Sequence, residues 1–200
     1  LSFYKKIKNR PKTVINSIRI FYDYKKERSL VDLKNIFPSH EKDTIDSVLK
    51  QFKIESLSPL LILSLIRQES AFNQKAKSRA NAMGLMQLIP STAKYMAKKL
   101  NMKNYSIFEP RDNIILGTNY LNMLYDDFSK NPIYTLSSYN AGPNRTKRWI
   151  RSRGYLPPEK FVEAIPYKET SLYVKLIARN FVFYQLLYNK NRTKKIRYLF

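Results

Sequence analysis

Cysteine is absent from the 200 residues, so neither a disulfide framework nor a thiolate metal site can form. One histidine, His40, leaves a histidine-based triad or a zinc site without its usual side chains. No metal site and no cofactor is expected. Acids are scarce as well: 15 Asp and Glu stand against 37 Lys and Arg, a formal charge of +22. Such a surplus implies a polyanionic setting, whether nucleic acid, an anionic membrane surface or an acidic cell envelope. The apolar stretch Leu60 to Ile66 falls far short of the roughly 20 residues that cross a bilayer, and no integral membrane span is expected. The chain begins at Leu1 without an initiator Met or a signal peptide, which reads as a mature form or a piece of a longer protein.

Strand-like alternation bounded by tight turns is also hard to find, whereas helical periodicity runs through the chain. With 44% apolar residues, one all-α unit with its own core is expected. The spacing predicts helices over Thr13–Tyr24, Lys42–Phe52, Pro59 to just past Glu69, Ser91–Leu100, Arg111–Phe128, Pro132–Tyr139 and Glu169–Tyr188. The basic ends, Lys5–Lys12 and Lys190–Arg197, read as solvated termini. Glycine is sparing, 4 residues where about 7% is usual, so each position counts. Gly84 and Gly142 fall in turns, where they permit positive φ or a close approach of backbone to ligand.

Glu69 is the candidate proton donor. On a helix capped by Ser58 and opened by Pro59, it shares a face with Leu65, Ile66 and Phe72. Apolar neighbours disfavour the ionised carboxyl, and a helix C-terminus adds its negative dipole end. No acid lies between Glu69 and Glu109 to act as a local partner.

Four segments occur in order: Glu69-Ser70-Ala71-Phe72, Gly84-Leu85-Met86-Gln87 running on to Ala93, Tyr139-Asn140-Ala141-Gly142, and Glu163-Ala164-Ile165-Pro166 with Glu169-Thr170 and Tyr173-Val174. Together they resemble the lytic transglycosylases of the soluble type, across about two-thirds of the chain. The resemblance implies a lysozyme-like helical catalytic domain over 56–190, a helical linker over 1–55 that could end a larger superhelical domain, and a basic tail over 191–200. It implies cleavage of peptidoglycan between N-acetylmuramic acid and N-acetylglucosamine, with Glu69 first as acid and then as base. The muramoyl 6-hydroxyl supplies the nucleophile and a 1,6-anhydro end forms. One carboxylate suffices for such a scheme, whereas ordinary glycosidases use two.

By the same resemblance Ser78 orients the acid or the N-acetyl group, and Gln87 hydrogen-bonds the sugar. Met86 and Ile89 line the groove, Tyr139 positions Glu69 or the N-acetyl group, and Glu163 binds peptide stem or sugar across the groove. Ile89 stands where the family often has Met. Peptidoglycan strands are the implied partner, in the periplasm or cell envelope of a bacterium, with room for other envelope proteins; nucleic acid is not expected, since no nucleic-acid motif is present. Two alternatives stay open: a hydrolytic muramidase drawing a second carboxylate from Asp112, Asp126 or Asp127, and a non-catalytic wall- or polyanion-binding module.

Overall fold

Proline opens most of the helices. Among the described residues it stands in the first turn of six helices, where its missing N–H would have had no intrahelical partner anyway. In the computed structural model the described residues are 30–189. They form α1 (Leu30–Ile36), α2 (Lys42–Gln51), α3 (Pro59–Ser70), α4 (Pro90–Lys99), α5 (Pro110–Asp127), α6 (Pro132–Ala141), α7 (Pro143–Arg153), α8 (Pro158–Glu163) and α9 (Lys168–Tyr188). The expected helix over Thr13–Tyr24 and both basic ends lie outside the described residues.

The all-α expectation holds. Among the described residues no strand forms, and the extended pairing consists of two isolated antiparallel bridges, Lys77 with Met83 and Met83 with Leu88. Six expected helices start or stop within a few residues of the observed ones. Helices α1, α7 and α8 were not expected. The first and last are too short to show a period, and α7 buries just Thr146 and Trp149 along its length.

Helix α3 is the axis of the molecule. Ser58 caps it by accepting from the Leu60 N–H at 3.2 Å, and every residue from Leu61 to Arg67 is buried. A helix that is apolar nearly all round has to be enclosed by others, and α3 packs against α9 and α2. Arg67 ties it sideways: Nε donates to the Ile36 carbonyl at 2.9 Å and Nη1 to Asn180 Oδ1 at 3.0 Å, while the guanidinium lies 4.2 Å from the Phe37 ring centroid. Ile36, Phe37, Ile45 and Val48 join the same core as Leu63, Ile66 and Tyr173, so α1 and α2 pack into the unit that carries Glu69.

The segment 71–89, between α3 and α4, has its own fastening. Asn113 on α5 is fully buried; its Nδ2 donates to the carbonyls of Met83 at 3.1 Å and Ile107 at 2.8 Å, and its Oδ1 accepts from the Met86 N–H at 2.7 Å. Gly84 passes so close to this amide that an added Cβ would sit 2.2 Å from Asn113 Nδ2, and its φ of +79° disfavours any side chain. One buried amide therefore satisfies the Met86 N–H and the Ile107 carbonyl and adds a second bond to the Met83 carbonyl, which also accepts from the Leu88 N–H at 3.0 Å.

Candidate active site

Glu69 occupies the last turn of α3. The helix stops because Ala71 turns left-handed, φ 48° and ψ 37°, while its N–H still closes on the Arg67 carbonyl at 3.2 Å. Phe72 follows with φ 65° and a buried ring, so the chain reverses and carries residues 73–89 up one side of a cleft. Two successive positive-φ residues without glycine are costly, about 1–3 kcal/mol each, and the packing of Phe72 is what holds them.

The cleft has a volume of about 440 Å³, and its wall includes Glu69, Ser78, Gln87, Ile89, Thr92, Tyr120, Tyr139, Asn140, Arg145 and Glu169. Tyr173 lies behind it and donates its hydroxyl to Glu69 Oε1 at 2.6 Å. Burial pushes the Glu69 carboxyl from its ordinary 4.5 up to about 7; the Tyr173 hydrogen bond opposes the rise and the Glu169 carboxylate adds to it. The hydroxyls of Tyr173 and Tyr139 are held well above the usual range, first by burial and then by the nearby Glu69 charge. Oε1 is thus occupied by a neutral donor, leaving Oε2 as the oxygen able to carry and deliver a proton.

The remaining expected residues divide. Ser78 lines the cleft; its Oγ accepts from the Ala82 N–H at 3.0 Å, so its own O–H is available to donate. Ile89 lines the cleft and is 47% exposed. Gln87 lines it too, but its Nε2 donates to the Ala76 and Gly84 carbonyls at 3.1 and 2.9 Å, so Oε1 is the group left for a ligand. Tyr139 lines the cleft with its hydroxyl donating to the Met86 carbonyl at 2.8 Å; the hydroxyl that positions Glu69 is that of Tyr173.

Two expectations do not match the geometry. Met86 is fully buried, its side chain pressed against Gly117, where an added Cβ would meet Sδ at 2.5 Å. It fills the core, and the cleft sees it through its carbonyl's bond to Tyr139. Glu163 is not in the cleft wall; it ends α8 and pairs with Lys175 Nζ at 2.7 Å.

Sequence reasoning assigned no role to Glu169, Tyr173, Thr92 or Arg145. The four-residue spacing of Glu169 and Tyr173 puts both on one face of α9, which was the available signal. Asn140, at the end of α6, accepts from the buried Thr170 hydroxyl at 2.6 Å and joins α6 to α9. Gly142 needs no space, yet its φ of +90° is what lets α7 start directly after α6. Of the acids considered for a second carboxylate, Asp112 accepts from the Ser106 N–H and Asp126 from Asn122; neither they nor Asp127 line the cleft.

A helical domain whose buried axis ends in a protonatable carboxyl at the foot of an open cleft is of the lysozyme-like class. The chain belongs to the transglycosylase SLT domain family, whose description matches residues 46–162. It is 42% identical over 139 residues to a putative soluble lytic murein transglycosylase of Haemophilus influenzae, a match covering 68% of this chain and 23% of that protein. Its fold is similar to the 70 kDa soluble lytic transglycosylase of Escherichia coli, with a TM-score of 0.72 and 34% identity over 78% of this chain and 25% of that one. It is also similar to an inactive mutant of the lytic transglycosylase Slt of Pseudomonas aeruginosa, in which a glutamate is replaced by glutamine: TM-score 0.73, 34% identity, 79% of this chain and 26% of that one. The chain thus spans about a quarter of the length of these proteins.

Proposed function

We propose that this domain is a peptidoglycan lytic transglycosylase that breaks the β-1,4 bond between N-acetylmuramic acid and N-acetylglucosamine without water. The observation that carries the reading is the Glu69 carboxyl, raised to about 7 inside the cleft with one oxygen held by Tyr173. A group poised near neutral pH serves both halves of such a reaction. Protonated Glu69 gives its Oε2 proton to the glycosidic oxygen. The carboxylate so formed, steadied by the Tyr173 hydroxyl, then removes the proton from the muramoyl 6-hydroxyl as that oxygen closes on its own anomeric carbon. The Glu169 charge favours positive charge developing on the sugar.

Ser78, Gln87 and Ile89 are proposed to bind the glycan along one wall, and Tyr139 to brace the opposite one. Met86 acts through its carbonyl, and Glu163 has its place outside the cleft, where a peptide stem could reach it. The catalytic unit is proposed to be 56–190, following a linker over 1–55 whose α1 and α2 dock into the same core, with a basic tail over 191–200. The periplasm or cell envelope of a bacterium is the setting this substrate requires. Among the described residues no helix is long and apolar enough to cross a membrane.

Glu169 gives a hydrolytic muramidase its best support, because it is a second carboxylate in the cleft. Mass spectrometry of digested sacculi separates the two: anhydro-muramoyl ends are expected, and reducing ends would establish hydrolysis. Glu69→Gln should abolish both products; full activity in that variant would sink the assignment of the acid, and an inactive wild type would leave a wall-binding module.

A further inference from the structure

The positive charge of this chain is unevenly placed. Between Asp127 and Glu159 there is no acid, while Lys130, Arg145, Lys147, Arg148, Arg151 and Arg153 all fall there, most of them on α7. Helix α7 starts in the cleft wall, to which Gly142, Pro143 and Arg145 contribute, and leads away from it. Arg148 and Arg151 follow Arg145 at three-residue steps, each advancing about 4.5 Å along the helix. All three are exposed, because the helix buries Thr146 and Trp149 alone. None of the basic side chains of α7 forms an ion pair with an acid among the described residues. Arg145 is aimed by its surroundings: Nη1 donates to the Ala141 carbonyl at 2.9 Å, and its guanidinium lies 5.6 Å from the centroid of the Tyr167 ring, which packs edge-on against Trp149.

We propose that the exposed face of α7, from Arg145 through Arg148 to Arg151, is a track for the carboxylates of peptide stems on the glycan strand held in the cleft. The inference rests on the peptidoglycan reading above. Continuity decides the occupant: the track begins inside the cleft, so its ligand is joined to what fills the cleft. Charge decides the chemistry, since guanidinium forks match carboxylates in pairs of hydrogen bonds.

The test compares purified glycan strands that bear stems with the same strands after the stems are removed by an amidase. Wild type and a variant combining Arg148→Gln with Arg151→Gln are assayed for KM and kcat on each. The variant should raise KM on stem-bearing strands by about fivefold, as expected for two exposed ion pairs, and leave kcat and the stem-free KM unchanged. Equal effects on both substrates, or none on either, overturn the proposal. Sedimentation of the Glu69→Gln protein, with and without the two arginine changes, reads the same contact without catalysis. Preference for stem-bearing strands that the arginine changes abolish supports the track even if the wild-type protein cleaves neither substrate, an outcome that would fault the catalytic reading instead. If the changes weaken binding to phosphatidylglycerol vesicles as much as to stem-bearing strands, the face is an indiscriminate anion surface and the proposal fails.

Discussion

Replacing Glu69 by Gln should make the protein more stable, and by an amount that depends on pH. In the folded state the carboxyl titrates at about 7 against an ordinary 4.5, so between these values the native chain holds a proton that the unfolded chain has released. Stability therefore falls as pH rises through this window and levels off above it. The gap is worth about 3 kcal/mol at about 1.4 kcal/mol per pH unit. Glutamine cannot ionise, and its amide oxygen can still accept from the Tyr173 hydroxyl. Urea denaturation of both proteins at intervals from pH 4.5 to 8 measures the difference, with every other titrating group common to the two. The variant should gain little at pH 4.5 and about 3 kcal/mol by pH 8. A difference that stays flat across the range would show that the cleft does not resist ionisation of Glu69, and the case for an acid poised near neutrality would fall with it.

Two changes around Glu69 should move the alkaline limb of the activity–pH profile in opposite directions. Tyr173→Phe removes the donor that favours the carboxylate, so the limb shifts upward while kcat falls about 10- to 100-fold with the lost charge-assisted bond. Glu169→Gln removes a like charge, so the limb shifts downward; a limb indifferent to both changes would mean that another group titrates. Gly84→Ala should cost about 2–4 kcal/mol in the same urea assay, from the positive φ and the collision with Asn113 together.

What the sequence revealed and what it hid follow from distance along the chain. The cap and proline at Ser58-Pro59, the apolar run behind them and the position of Glu69 in the last turn are all local, and each is where its spacing put it. Tyr173 lies 104 residues away from Glu69, and although the fourth segment contains it, nothing local shows that its hydroxyl meets Glu69. The Tyr-Asn-Ala-Gly segment drew attention to Tyr139 instead, whose hydroxyl is committed to the Met86 carbonyl. Met86 was assigned to the groove by its motif position alone; the space opened by Gly117, on a helix far along the chain, draws its side chain into the core. Helix α7 escaped notice for a similar reason, since its pattern is one of charge with little apolar period.

The bonds of Asn113 bear on how the cleft moves. Its side chain belongs to α5, and the backbone it grips at Met83 and Met86 belongs to the wall. The wall cannot peel away as a lone flap, because doing so strands a buried amide together with the Met86 N–H. Opening on that side is coupled to disruption at α5, which places the Met86 amide among the slowly exchanging protons of the molecule. On the proposed reading, a glycan strand would therefore meet a cleft with one wall already set.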